Sequence, residues 1–149
     1  MRNHPVISLL LVEDDQNDVV RFERAMGEFE GRYSLNVVTG GSDAIDYLAG
    51  NAQFDDRQKY PSPHCLVLDL QMPGTSGFDV LTWVRGNTRL KMLPVIIFTV
   101  STNSADLKEA YRAGVMSYVV KPLRPGEHED AVRVMLGFWE GALEPNHEP

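Results

Sequence analysis

The chain reads as an α/β domain built on a doubly wound, five-stranded parallel sheet in the order 2-1-3-4-5. Two patterns predict this. Apolar runs alternate with amphipathic stretches five times along the sequence, and regular strand–helix alternation is the mark of parallel pairing. The runs are also continuous rather than alternating, as in Val95-Ile96-Ile97-Phe98-Thr99, so each strand is covered on both faces. Right-handed crossovers then leave few topologies, and 2-1-3-4-5 is the natural one. A length of 149 residues fits one domain, and such a chain buries about 70% of its unfolded surface without needing disulfides.

The elements follow in order. Val6 to Val12 is a buried strand, and Gln16 to about Phe29 a helix with Val19, Val20, Phe22, Met26 and Phe29 at near-helical spacing. Tyr33 to Val38 is the second strand. Gly40-Gly41 interrupts the chain before a short helix from Ser42 to Leu48, with Ala44, Ile45 and Leu48 inward. The polar, proline-bearing stretch from Gly50 to Pro63 is a loop. Leu66 to Leu68 is the third strand, and Pro73, Gly74 and Gly77 mark the turn into a helix from Phe78 to Arg85. After the strong Val95–Thr99 strand, Ser104 to Ala113 is helical and stops at Gly114. Tyr118 to Val120 is a last short strand. Glu127 to about Leu143 is the final helix, and Glu144 to Pro149 a frayed tail. The reading is of one domain over residues 1–149, with its core at about 6–143 and no output module.

Composition narrows the function. A net charge of −7 and a pI near 5.0 repel phosphate backbones, so a nucleic-acid partner is not expected. No stretch approaches the roughly 20 apolar residues of a membrane helix, and the short apolar start ends in acid, unlike an export signal. The one cysteine, Cys65, lies in an apolar run and reads as a small buried hydrophobe. Together these suit a cytoplasmic protein. His4, His64, His128 and His147 are scattered without metal-ligand spacing, and no nucleotide-binding glycine loop is present.

In an open α/β sheet, ligands bind beyond the carboxyl ends of the strands. Here those ends carry Glu13, Asp14 and Asp15 after the first strand, Asp69 after the third, Thr99 and Ser101 after the fourth, and Lys121 after the fifth. One acid at a strand end is ordinarily a solvated cap; the coincidence of all four positions is the signal. Carboxylates gathered in one pocket repel each other, and a hard divalent ion such as Mg²⁺ relieves this with carboxylates and waters as ligands. A metal, a lysine and a hydroxyl around one carboxylate can stabilise a phosphoryl group in transfer. Asp69 is then the candidate nucleophile, giving an aspartyl phosphate.

Four segments carry a resemblance: Leu11-Val12-Glu13-Asp14, Leu68-Asp69-Leu70-Gln71-Met72-Pro73-Gly74, Pro94 to Thr99, and Tyr118-Val119-Val120-Lys121-Pro122. With them the chain resembles the receiver domains of two-component response regulators, over about residues 6 to 140. The resemblance implies a flavodoxin-like, CheY-like fold and a partner histidine kinase. It implies Asp69 as phosphoacceptor, Asp14 as a direct Mg²⁺ ligand, Glu13 as its partner through water, and the backbone carbonyl of Gln71 as a third protein ligand. It further implies that Thr99 and Lys121 bind phosphoryl oxygens, that Tyr118 is the aromatic that swings as Thr99 moves, and that Lys121-Pro122 has a cis peptide bond. On the same resemblance the chain is a signalling protein that assists its own phosphotransfer rather than an enzyme. The long Gly50–Pro63 loop and Phe138-Trp139 are similar to those of stand-alone regulators paired with phytochrome-type kinases.

Other readings stay open at this stage: a relay intermediate or phosphate sink, or a receiver-like binding module independent of phosphorylation. An aspartyl-phosphate phosphatase would need a second acid two residues after Asp69, where Gln71 stands. Val100 occupies a position often Ala or Gly in the family and is expected to crowd access to the phosphoryl group. The final helix carries more apolar residues than one sheet face needs, in ridges Ala131, Met135, Phe138, Ala142 and Val132, Leu136, Trp139, Leu143. Phe138 and Trp139 are therefore expected at an interface, in a homodimer formed by the fourth helix, fifth strand and fifth helix.

Overall fold

The computed structural model describes residues 6–142. Its element order is β1 (Ile7–Val12), α1 (Gln16–Met26), β2 (Tyr33–Val38), α2 (Gly41–Ala49), β3 (Cys65–Leu68), α3 (Gly77–Gly86), β4 (Val95–Thr99), α4 (Ser104–Arg112), β5 (Ser117–Val120) and α5 (Pro125–Ala142). The five strands form one parallel sheet in the order β2-β1-β3-β4-β5, as the alternation of runs predicts. Val12 sits opposite Leu68, Leu68 opposite Ile97, and Thr99 opposite Val120. This register aligns the carboxyl ends of β1, β3, β4 and β5.

Alternate side chains of the central strands feed two cores, because successive strand residues point to opposite faces. Leu10, Val12, Leu66, Leu68 and Ile97 pack with Ala44, Tyr47, Val80, Leu81, Val84 and Ala110, so α2, α3 and α4 cover one face. Leu9, Leu11, Val67, Ile96 and Phe98 pack with Val19, Phe22, Val132, Leu136 and Trp139, so α1 and α5 cover the other. β1, β3 and β4 are buried along their whole length. Burial at Cys65 pushes its thiol up to about 12, which makes it the inert apolar residue its run suggests.

Several expectations need correction. α1 ends at Met26, and Gly27–Phe29 tightens into a 3₁₀ turn. Val20 faces solvent, because the apolar stripe of α1 is completed by Val19, Phe22 and Ala25. The Gly50–Pro63 stretch is no simple polar loop. Phe54 and Tyr60 pack edge-on to each other and against Tyr47, with ring centroids 5.1–5.9 Å apart. Arg57 donates to the carbonyls of Tyr47, Leu48 and Tyr60 at 2.9–3.1 Å. The segment thus closes the carboxyl end of α2, whose last carbonyls have no partners within the helix.

The final helix also divides differently from the two ridges read from sequence. Val132, Met135, Leu136 and Trp139 form the buried stripe, whereas Val134 and Phe138 are each 73% exposed. Trp139, expected at an interface, is only 2% exposed and belongs to the core against β1, β3 and β4. Neighbouring helix residues lie about 100° apart, so one of the pair turns inward as the other turns out. Leu143 and the 144–149 tail lie outside the described residues. Trp139→Ala should therefore destabilise the fold by about 3–5 kcal/mol, and Phe138→Ala by less than about 0.5 kcal/mol. Urea unfolding followed by circular dichroism measures both, and equal effects would contradict this division of the helix.

Candidate functional site

The ladder hydrogen bonds that end each strand also place the functional residues. Glu13 N–H donates to Val38 O at 3.0 Å, Asp69 N–H to Val12 O at 3.1 Å, and Lys121 N–H to Thr99 O at 2.6 Å. Each residue is thus the first beyond its strand, held by the neighbouring strand. Asp15 caps α1, accepting from Asn17 N at 2.9 Å and Asp18 N at 3.4 Å, as an N-terminal aspartate does. On the third strand's side, Gly77 lets α3 approach closely, since a Cβ there would lie 2.2 Å from Asp69 O and 2.7 Å from Leu70 Cα.

The site is a buried ammonium surrounded by acids. Lys121 Nζ donates to Glu13 Oε1, to Asp18 Oδ2 at 2.8 Å and to Asp69 Oδ2 at 3.0 Å. Its own accessibility is 5%, with Glu13 at 2% and Asp69 at 6%. Phe98 lies below, its ring centroid 5.8 Å from Nζ. Burial opposes the charge on Lys121, but hydrogen bonds to Asp18 and Glu13 and the Asp69 charge outweigh it, so the ammonium is held above its ordinary range. Burial pushes the Glu13 carboxyl above the usual carboxylate range against the pull of Lys121, and the Asp69 charge adds to the rise. Asp18 is held below the usual carboxylate range: its burial alone would raise it, but Lys121 and then His128 and Arg21 overcome that.

Glu13, Asp14 and Asp69 each bring a carboxylate oxygen within 4.8 Å of the others, with Asp14 on the exposed side. Hard oxygen donors with one side open to water fit a hard divalent cation. The cluster also supplies the negative charge that such an ion neutralises. Gln71 is held beside this group by its N–H, which donates to Asp69 Oδ1 at 3.1 Å.

Thr99 is fully buried, and its Oγ1 accepts from Ser101 N at 3.4 Å. Tyr118 is linked to the same short segment: its hydroxyl donates to Ser101 O at 3.1 Å. Ser101 Oγ in turn bonds Asp106 Oδ2 at 2.6 Å, at the start of α4. Thr99 and Tyr118 therefore meet through Ser101, which joins β4, β5 and α4. Val100 is half exposed and lines a cleft with Asp18, Arg21, Lys121 and His128.

The sequence-predicted residues Glu13, Asp14, Asp69, Thr99 and Lys121 all stand at one end of the sheet, with Gln71 and Tyr118 at its margin. Phe138 and Trp139 are elsewhere, on α5. The Lys121–Pro122 bond is trans, as are the other described peptide bonds, correcting the implied cis form; trans is intrinsically favoured for an Xaa–Pro bond by about 0.5–1 kcal/mol. Sequence reasoning missed Asp18 and His128. Asp18 looks like an ordinary acid in the first turn of a helix. His128 Nδ1 lies 3.7 Å from Asp18 Oδ1, though the residues are far apart in sequence, and its ring packs on Phe98 at 4.9 Å. No spacing rule announces either contact.

Comparison with known proteins agrees with this geometry. Residues 9–133 match the family described as response regulator receiver domain. The chain is 32% identical over 135 residues to the probable methanogenesis regulatory protein FilR2 of Methanothrix harundinacea, covering 89% of this chain and 83% of that one. Among solved structures, the Mn²⁺-bound form of response regulator Rcp1, a protein of Synechocystis, superposes with a TM-score of 0.83 at 26% identity, covering 96% of this chain and 99% of that one. Response regulator RPA3017, described in red light signaling of R. palustris, gives a TM-score of 0.80 at 29% identity, covering 90% and 94%. With residues 9–133 matched by that family and the fold shared with these structures, the chain belongs to the response regulator receiver domain family.

Proposed function

We propose that this chain is a phosphorylation switch in which a histidine kinase donates a phosphoryl group to Asp69 in a Mg²⁺-dependent reaction. The observation that carries this reading is the convergence of Glu13, Asp14, Asp69 and Lys121 at the ends of three strands, with Lys121 Nζ 3.0 Å from Asp69 Oδ2. Glu13, Asp14, Asp69 and the backbone carbonyl of Gln71 would hold Mg²⁺, which when bound neutralises charge on the transferring phosphoryl oxygens.

The chain's own residues supply the rest. Asp69 attacks phosphorus; an O–P bond forms as the N–P bond to the donor imidazole breaks, and the electron pair returns to the ring nitrogen. Lys121 and the Thr99 hydroxyl stabilise the phosphoryl oxygens. Transfer places a charge of about −1.5 to −2 at the site, as for phosphoamino acids generally. Thr99 turns toward that charge, and the change reaches Tyr118 through Ser101. In this reading the protein signals by contact and assists its own phosphorylation and dephosphorylation, without turning over a separate substrate.

A phytochrome-type kinase is the partner we favour, because RPA3017, which acts in red light signaling, aligns along nearly the whole chain. We also favour a cytoplasmic setting; no helix of the described residues is long and apolar enough to cross a membrane. The output surface we favour is a homodimer through α4, β5 and α5. Leu107 and Tyr111 of α4 and Val120 of β5 are exposed there, as are Leu123 and, on α5, Phe138. A two-fold axis would set the same patch on both subunits.

Incubation with acetyl phosphate and Mg²⁺, followed by intact-mass measurement, tests the central claim. The parent should gain one phosphoryl mass, Asp69→Asn none, and Asp14→Asn should react more slowly because a metal ligand loses its charge. A parent that never gains the mass, or an Asp69→Asn protein that gains it equally fast, would refute the assignment. Thr99→Ala should remain phosphorylatable but lose most of the amide shift changes around Ser101 and Tyr118; identical shift changes in both proteins would sever that link. In sedimentation, the parent should form a dimer that Phe138→Ala weakens. A monomer with and without phosphorylation removes the homodimer.

A further inference from the structure

Asp18 stands outside the Glu13–Asp14–Asp69 cluster yet shares its lysine. Its Oδ2 accepts from Lys121 Nζ, and its Oδ1 accepts from Arg21 Nη1, both at 2.8 Å. His128 of α5 is buried behind it, and its Nε2 has no hydrogen-bond partner among the described residues. An ammonium has three donors, and those of Lys121 go to Glu13, Asp18 and Asp69. Two of these partners are disturbed by the chemistry. A phosphoryl group on Asp69 turns its carboxylate into an acyl phosphate and moves the negative charge onto the phosphoryl oxygens, and a divalent cation competes for Glu13 and Asp69. Asp18 alone takes part in neither event.

We infer that Asp18 is a positioning residue that keeps the Lys121 ammonium aimed at the phosphoryl site while its other two bonds are exchanged; this rests on the reading of Asp69 as phosphoacceptor. A lysine stem is flexible, and its ammonium is held in place only by its partners. A cleft of about 190 Å³ opens beside it, lined by Asp18, Arg21, Val100, Lys121 and His128 among others. Without a fixed anion on the α1 side, the ammonium has room to leave the phosphoryl site. Arg21 fixes the orientation of that anion, and His128 closes the space behind it. The competing role is an acid that merely stabilises the first turn of α1. Such a role would not operate through Lys121, and that difference decides the test.

Phosphorylation rates with acetyl phosphate and Mg²⁺ are measured by intact mass for the parent, Asp18→Ala, Asp18→Asn, Lys121→Ala and the Asp18→Ala/Lys121→Ala double variant. Loss of one charge-assisted hydrogen bond should slow Asp18→Ala by about tenfold. Asp18→Asn, which keeps an acceptor, should fall between it and the parent. In the Lys121→Ala background the same Asp18→Ala change should cost less than about twofold, because residues acting through one another are not additive. No loss in the parent background, or equal losses in both, overturns the inference. The ¹H–¹⁵N ammonium resonance of Lys121 gives a readout independent of phosphorylation: it should broaden in Asp18→Ala, and an unchanged signal also overturns the inference. A parent that is never phosphorylated instead defeats the assignment of Asp69, while the ammonium resonance still reports whether Asp18 anchors the lysine.

Discussion

The site depends on one buried ammonium. Carboxylates at the ends of β1 and β3 and in the first turn of α1 would repel each other if gathered with nothing between them. Lys121, arriving from β5, compensates them in a space that water scarcely reaches. Taking these ions from water is costly unless each is paired and hydrogen-bonded, and Lys121 meets that condition by giving one bond to each of Glu13, Asp18 and Asp69. The arrangement needs the whole topology. The order β2-β1-β3-β4-β5 brings residues 13, 69 and 121 out at one edge of the sheet, where Lys121 reaches past the end of β4 to Asp69 and Glu13.

A site balanced in this way responds to any charge that enters it. A cation near Glu13 and Asp69 would replace part of what the lysine does, and, on the proposed function, a phosphoryl group on Asp69 would give the lysine a new partner. Under the proposed function, either change would pass to the neighbours bonded to the site. On one side lie Thr99, Ser101 and Tyr118, where a single backbone carbonyl joins the end of β4 to the β5 aromatic and the Ser101 hydroxyl reaches Asp106 of α4. On the other lie Asp18, Arg21 and His128, which connect the lysine to α1 and α5. The first path ends on the face where apolar side chains stand in solvent, the second inside the α1–α5 core.

Much of this was legible in the sequence, and for physical reasons. Strands buried on both faces must be continuous apolar runs, so β1, β3 and β4 were found within a residue of their ends. The residue after such a run must emerge at the sheet's carboxyl edge, so Glu13, Asp69 and Lys121 could be assigned to one pocket without coordinates. What stayed hidden was whatever depends on side chains meeting across elements. Asp18 and His128 are 110 positions apart, each unremarkable alone. The Tyr47–Phe54–Tyr60 cluster lies in a stretch whose prolines and polar residues suggest only a loop. The isomer at Pro122 depends on its surroundings in the fold, which composition does not decide.

The final helix shows where pattern reading reaches its limit. Its apolar residues exceed what one sheet face can cover, so some must be exposed, and sequence alone leaves open which. The answer follows from partners on other elements. Tyr33 of β2 donates its hydroxyl to Leu136 O, and Arg32 pairs with Glu140 Oε1, so the carboxyl half of α5 is pinned to the β2 side of the molecule. That rotation turns Trp139 onto the sheet and Phe138 and Val134 away from it. The aromatic that adds most to stability is therefore sequestered from any partner, and the exposed one contributes little to the fold. A surface whose residues are dispensable for folding can change its partner without endangering the domain, whereas the lysine-centred site cannot change without disturbing the strands that build it.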